Sequence, residues 1–302
     1  MVVGTRTSSW TGAARWTLLL LLVSLMGLGG CDKMRKEAIA MVNEGVRCLN
    51  RGDDGTARSH FLRATRHDPE YASAHYHLGL VDAHYSETPS AGLRHFEEAL
   101  RLGPPNVETL FQLGRLKVET GNPEGALIHL EKALELDWNH APSWFYKGTA
   151  YRALSRPADA DRAWRESISI QPFEGRAYLE LGELYEEYGA NEEAFDLYEE
   201  GRRHNPGNGD LINAVGVLAT RLGETEKAVE AFNRALEIQG ARMDALYNLS
   251  FAYAEAGLQQ KAIASLQSYL VFADPEKDKV QIEMARAVQD ALMIERKRKR
   301  AK

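Results

Sequence analysis

One stretch of 34 residues, from Gly175 to Asn208, constrains the fold of this chain more than any other feature. It contains two short amphipathic helical patterns separated by a turn at Gly189, and Pro206 ends the second pattern. Small residues stand where two antiparallel helices would cross closely, and tyrosines stand beside them. Such a helix pair has two apolar faces and cannot bury both by itself, so copies of the pair must stack.

Copies of this pair are present along most of the chain. The small residue Gly182 recurs every 34 residues, and a small residue at Ala194 and a large one at Tyr198 recur in the same register. A single extra residue between Tyr85 and Ser90 interrupts the period once. The copies of Gly182 are Gly45, Gly79, Gly114, Gly148, Gly216 and Ser250. The pattern therefore predicts an all-α chain built from repeated helical hairpins.

This register resembles the tetratricopeptide repeat, which has small residues at its eighth, twentieth and twenty-seventh positions, an aromatic at the twenty-fourth and proline at the thirty-second. The resemblance implies a right-handed α-solenoid of about seven repeats over residues 38–274. A capping helix is predicted at 275–295 and a basic tail at 296–302. The predicted repeats are 38–71, 72–106, 107–140, 141–174, 175–208, 209–242 and 243–274.

The predicted capping helix has one apolar face, formed by Val280, Met284, Ala287, Ala291 and Ile294. We expect this face to cover the open end of the last repeat, as terminal helices of solenoids do. The alternative is a helix that docks on a partner. The basic tail after it is predicted to stay solvated, and contact with anionic lipid is the alternative.

The first thirty residues do not belong to the repeats. Two arginines precede an apolar run at 16–28, which is too short for an ordinary membrane span, and Leu28-Gly29-Gly30-Cys31 follows. This resembles the lipobox of bacterial lipoproteins, which implies that Cys31 is acylated and becomes the first mature residue. Residues 31–37 would then be a short tether at the periplasmic side of an envelope membrane, inner or outer. The alternative is an ordinary secretory signal or an uncleaved anchor with a chance cysteine.

Charge and cysteine usage exclude some classes. The net charge is −6, which argues against a general nucleic-acid binder. The second cysteine, Cys48, occupies a packing position that tyrosines hold in other repeats, and we expect it to be a small buried hydrophobe. With one thiol left after lipidation, stability must come from helix packing.

No catalytic, metal or cofactor site is predicted. His75 and His77 point to different sides of a helix, and although His75 and His84 could share a face, a third ligand is missing. The sequence contains no HExxH, CxxC or GxSxG motif and no phosphate-binding glycine loop. We therefore expect a non-enzymatic protein without a small-molecule substrate.

The resemblance places partner binding on a concave groove lined by the first helix of each repeat, through its second, fifth, ninth and twelfth positions. The residues that we select for this groove are Val42, Val46, Tyr76, Leu80, Phe111, Arg115, Phe145, Thr149, Arg152, Leu179, Glu183, Asn213, Tyr247 and Phe251. Packing within a repeat does not need large apolar side chains at these positions. The alternative is that helices of the same chain cover them.

Within that groove we predict an exposed apolar stripe, a feature that marks binding sites. Its members are Tyr76, Leu80, Phe111 and Phe145. Arg115 and Arg152 are predicted to accept a partner's carboxylate.

The functional expectation is a lipid-anchored scaffold that holds a peptide or helix of another envelope protein. Repeats and anchor together are similar to the repeat lipoproteins that pilot secretin rings of type IV pili. They are also similar to those that recruit peptidoglycan enzymes. A self-associating structural component of the envelope is a further alternative.

Overall fold

The computed structural model describes residues 32–85, 90–239 and 243–300, and within these ranges it contains helices and turns but no β-strand. The helices form two compact units that divide between Asp137 and Trp138. The predicted fold class, an all-α chain of stacked helical hairpins, is confirmed.

The first unit contains six helices, which pair in chain order. They are α1 (residues 32–50), α2 (Asp54–His67), α3 (Ala72–Tyr85), α4 (Ser90–Leu102), α5 (Val107–Glu119) and α6 (Pro123–Leu136). Cys48 is 1% exposed in the core between the first helices, which confirms its prediction as a buried hydrophobe.

The second unit contains nine helices over its described residues. They are α7 (Ala141–Ala153), α8 (Pro157–Ile170), α9 (Gly175–Glu187), α10 (Asn191–His204), α11 (Gly209–Arg221), α12 (Thr225–Gln239), α13 (Met243–Glu255), α14 (Gln259–Phe272) and α15 (Lys279–Arg300). The first eight pair as hairpins, and α15 packs on α14.

The recurring glycine exists because a large side chain of the second helix covers it. A Cβ added to Gly182 would overlap the ring of Tyr198, and one added to Gly216 would lie 2.6 Å from the ring of Phe232. The close crossing buries these rings completely or almost so. The pairing of small and large residues read from the sequence is therefore the contact that closes each hairpin.

Every described turn inside a hairpin contains a residue in the left-handed conformation. Gly189 has φ +75° between α9 and α10, and the corresponding turns contain Gly52, Gly121, Gly223 and Gly257 in the same conformation. Between α7 and α8 the same place is taken by Ser155, with φ 55°. Side chains disfavour this region, so glycine is the natural occupant and the serine is strained.

Three details at the chain ends differ from the expectations. Residues 32–37, predicted as a tether, are already helical and belong to α1. The last helix begins at Lys279 because residues 273–278 form a turn, in which the Asp274 carboxylate accepts from the backbone N–H of Glu276 at 2.9 Å. That helix then continues through the predicted basic tail to Arg300.

The face of α15 that packs on the repeats is not the predicted one. Ile282, Ala285, Val288 and Leu292 face the core, and Ala285 is fully buried. The predicted docking face, which we call the C-terminal seam, consists of Val280, Met284, Ala287, Ala291 and Ile294, and it is exposed. Val280, Met284 and Ile294 retain 65%, 50% and 53% of their accessible surface. Apolar residues recur at intervals of three and four on both faces of this helix. Spacing alone therefore could not identify the face that packs on the last repeat, and the prediction named the wrong one.

Candidate functional site

The first unit places a row of apolar side chains on its first helices α1, α3 and α5. Val46, Tyr76, Leu80 and Phe111 are half-buried, and we call these four residues the first-unit face. Val42, also predicted for the groove, lies in the core at 3% exposure and contributes packing instead. Tyr76 packs against Phe96 with ring centroids 5.7 Å apart. The first-unit face is therefore held in place by the core and remains partly open to solvent.

A recess of about 460 Å³ opens beside Tyr76. Tyr76, His77, Pro104, Asn106 and Glu108 contribute to its lining. Burial raises the pKa of Tyr76 to about 12, with a further contribution from the Glu108 carboxylate. Burial also lowers the pKa of His77 to about 4, so both rings are neutral at pH 7. Such a recess suits an uncharged side chain.

A second recess, of about 320 Å³, lies at Leu80. Leu49, Val81, Gln112 and Arg115 help to line it. Two predicted groove residues, Leu80 and Arg115, thus share one cavity.

Arg115 is already paired inside its own helix. It donates to Gln112 Oε1 at 3.0 Å and to the two carboxylate oxygens of Glu119 at 2.8 and 3.0 Å. We expected Arg115 to bind a carboxylate of a partner protein. In the structure its guanidinium is instead paired with the Glu119 carboxylate of the same helix.

In the second unit, the stripe prediction fails at Phe145. This side chain is 7% exposed and belongs to the core with Ala160 and Trp164. The Arg176 guanidinium lies 4.8 Å from the ring centroid and covers its remaining side. The alternative that helices of the same chain cover the stripe is therefore correct at this position.

Arg152, predicted to bind a partner's carboxylate, instead joins α7 to α9. It donates to Glu180 Oε2 at 2.8 Å and Glu183 Oε2 at 3.3 Å, and also to Glu187. Burial lowers the pKa of Arg152, but hydrogen bonds with Glu187 and Glu183 outweigh burial and hold that pKa above its ordinary value. Burial raises the pKa of Glu180 although Arg152 opposes it. We call these four residues the Arg152 clamp.

The other predicted groove residues of this unit are mainly structural. Thr149 donates its hydroxyl to the Phe145 carbonyl at 3.2 Å, and Leu179 packs on the core. Asn213 is half-buried, and its Oδ1 is buried without a hydrogen-bond partner. Tyr247 and Phe251 contact each other with ring centroids 4.9 Å apart.

Sequence reasoning missed several residues of these sites. His77, Asn106, Glu108 and Gln112 line the two recesses, and Glu180 and Glu187 belong to the Arg152 clamp. Glu108 stands at the second position of its repeat, a position that the family resemblance assigns to the groove, so that signal was available. The others follow only from the way neighbouring helices meet.

Profiles of one family match the chain along most of the repeats. Three family models, each described as a tetratricopeptide repeat, match residues 49–106, 107–140, 129–162 and 213–278. The chain belongs to the tetratricopeptide repeat family. Its architecture is that of proteins which act as protein-interaction scaffolds.

Among characterised relatives, the peroxisomal targeting signal receptor of Saccharomyces cerevisiae is 24% identical over 218 residues, which span 70% of this chain and 36% of the receptor. The human protein O-mannosyl-transferase TMTC3 is 26% identical over 71% of this chain and 22% of its own length. The chain thus spans about a third or less of these two relatives.

Solved structures share the fold at low identity. A structure from the functional characterization of Pseudomonas aeruginosa pilF has a TM-score of 0.58 and 20% identity, covering 72% of this chain and 96% of that one. A tetratricopeptide repeat protein from Parabacteroides merdae has a TM-score of 0.59 and 15% identity, covering 85% and 99%. At this identity the likeness supports the fold alone.

The remaining predictions concern the membrane and metals. Cys31 and the leader before it lie outside the described residues, so the proposed lipid anchor stays a prediction. Over residues 32–85, 90–239 and 243–300, no helix has both the length and the apolar character needed to cross a bilayer. The same ranges contain no group of three or more His, Cys, Asp or Glu side chains arranged to hold a metal ion.

Proposed function

We propose that this chain is a non-enzymatic scaffold that binds a peptide or helix of another protein on the first-unit face. The observation that carries this proposal is the row of half-buried apolar side chains beside two recesses. Packing of the repeats does not require such side chains at these positions, and partly exposed apolar rows of this kind mark binding surfaces.

The two recesses define the ligand that fits. The lining of the one beside Tyr76 is mostly apolar, and its tyrosine and histidine are neutral at pH 7, so we expect it to take an uncharged aromatic or large aliphatic side chain away from the Glu108 carboxylate. The one at Leu80 has an arginine on its rim, which is held by Glu119 on the same helix. A segment with two apolar anchors would use both recesses.

A peptide array tests this function. We expect peptides with two large apolar residues to bind the full chain, and Leu80→Glu to weaken binding at least about ten-fold because it places a charge among apolar anchors. The matched control is Ile128→Glu on α6, where the isoleucine is 56% exposed. Equal loss in both variants, or none in Leu80→Glu, would contradict the proposal.

We further propose that the scaffold is anchored in a bacterial envelope membrane through acylated Cys31 and faces the periplasm. The lipobox motif at Leu28-Gly29-Gly30-Cys31 supports this. Labelling with an alkyne fatty acid should mark the wild-type chain and not Cys31→Ser. Persistent labelling of the variant would refute the anchor at this residue.

The combination of a lipid anchor and tetratricopeptide repeats suggests which envelope process this chain takes part in. Assembly of an envelope machine such as a type IV pilus secretin is the first candidate, and recruitment of peptidoglycan-modifying enzymes is the alternative. Deletion should abolish assembled secretin rings in the first case, and should change cell-wall fragments with rings intact in the second. The transferase activity in the name of one relative is not carried over, because this chain spans 22% of that protein.

A further inference from the structure

The C-terminal seam is an apolar helix face that no described helix covers. α15 buries its opposite face on the last hairpin, and at the edge of the seam the Tyr247 hydroxyl donates to Met284 Sδ at 3.8 Å. Val280 and Ile294, near the two ends of the seam, are both more than half exposed. The seam shares no residue with the first-unit face, and the peptide binding proposed above does not use it.

The spacing of the seam suits a second helix. Its residues follow one another at intervals of four, three, four and three, which is the repeat of two-helix packing. Two alanines, Ala287 and Ala291, lie at its centre and permit close approach. The hairpins of this chain use the same device, with Gly216 beneath the ring of Phe232.

The seam is also complementary to itself. In an antiparallel pair of two α15 helices centred on the alanines, Ala287 of one copy lies opposite Ala291 of the other, and Met284 lies opposite Ile294. Small residues thus meet at the centre and large residues meet on both sides. A two-fold interface requires this kind of self-matching surface.

Charge favours the same arrangement. The segment before and within the first turns carries Glu276, Asp278 and Glu283, and the last turns carry Arg296 and Lys297 among a basic run. Antiparallel pairing brings Glu283 of one copy beside Lys297 of the other at both ends of the pair, and these two attractions oppose the repulsion of the two Asp290 side chains that the same register brings together. Parallel pairing would bring the two basic ends together.

We propose that two copies of this chain associate through an antiparallel pairing of their α15 helices along the C-terminal seam. The pair completes α15 in the way that the second helix of each hairpin completes the first. The resulting dimer presents two first-unit faces to its partners.

Cysteine crosslinking tests the pairing and its direction. Full-length chains carrying Ala287→Cys and others carrying Ala291→Cys are expressed in the same cells and oxidised with copper phenanthroline. We expect the mixture to give a disulfide-linked dimer several-fold above either variant alone, because the two positions face each other across the pair. The wild-type chain, with its own cysteines, provides the background.

Co-purification of two differently tagged full-length chains measures the contribution of the seam. Ile294→Glu is expected to reduce co-purification at least about ten-fold. The matched control Ile128→Glu removes an isoleucine of similar exposure and should leave co-purification unchanged. Glu283→Lys and Lys297→Glu should each weaken association, and the double variant should restore it.

Other outcomes would overturn the dimer. Self-crosslinking of each single-cysteine variant without enrichment in the mixture would indicate parallel pairing and refute the proposal. Unchanged co-purification of Ile294→Glu, or crosslinks only to lipid or another protein, would also refute it. Leu80→Glu should leave co-purification intact, so failure of peptide binding and failure of dimerisation are distinguishable.

Discussion

The two units use equivalent repeat positions for different purposes. In the first two repeats, which belong to the first unit, the ninth position holds Val46 and Leu80, and these side chains stay half-open to solvent. In the repeat at 175–208 of the second unit the ninth position holds Glu183, which pairs with Arg152 on the preceding first helix. The same repeat position therefore holds a partly exposed apolar side chain in some repeats and a charged residue that ties two helices together in another.

The two arginines predicted for the groove differ in whether they connect separate helices. Arg115 pairs with Glu119 one turn along its own helix, so we expect its removal to leave helix packing unchanged. Arg152 connects two helices through three carboxylates. A charged residue at a groove position is therefore informative only when its partners are known.

The largest expected effect concerns the close crossings, which are tight in both units but differ between the hairpins at Gly182 and Gly79. Gly182→Ala would push a methyl group into the ring of Tyr198, which is fully enclosed, whereas the Cβ of Gly79→Ala would lie 3.0 Å from Phe96. We expect Gly182→Ala to lower the free energy of unfolding by about 3 kcal/mol and Gly79→Ala by about 1 kcal/mol. Urea denaturation of both variants measures this, and equal losses would contradict the tighter crossing at Gly182.

The next effect is a pH dependence confined to the first unit. Burial lowers the pKa of His77 to about 4, while the unfolded chain protonates near 6.5. The unfolded state thus binds a proton first as pH falls, so stability is present above about pH 6.5 and is lost as pH falls to about 4.

We expect this loss to reach up to about 3 kcal/mol at pH 4. His77→Leu should remove that part of the pH dependence while leaving stability at pH 7.5 within about 1 kcal/mol. Unfolding free energies of both proteins from pH 7.5 to 4 provide the measurement. Parallel curves for the two proteins would show that His77 is protonated as easily in the fold as outside it.

A third comparison separates the two arginines. Arg152→Met should cost about 1–2 kcal/mol, because it leaves the half-buried Glu180 without its partner. Arg115→Met should cost at most about 0.5 kcal/mol, as expected for a pair within one helix. Thermal unfolding at low and moderate salt distinguishes them, and similar melting temperatures for the two variants would show that the Arg152 clamp adds no stability.

The sequence was sufficient for everything that repeats. Gly182 and Tyr198 recur in register, so hairpins, turns and buried faces could be predicted from the period. Features that occur only once in the chain could not be predicted from the period. Whether Phe145 is covered depends on where Arg176 of the next repeat places its guanidinium, and periodicity carries no information on that. The choice between two equally spaced faces of α15 likewise depends on the shape of the last hairpin.

The smallest expected effect is a gain in the second unit. Ser155 holds φ 55° in the turn between α7 and α8, where Gly189 and its counterparts hold about +75°. Ser155→Gly removes the clash of the side chain with its own backbone, and the greater freedom of glycine in the unfolded chain offsets part of that gain. We expect a net stabilisation of about 0.5 kcal/mol, whereas Gly189→Ser should destabilise by about 1 kcal/mol. Denaturation midpoints of the two variants test the pair, and a loss of stability in Ser155→Gly would mean that the serine side chain makes a contact in this turn that outweighs its strained conformation.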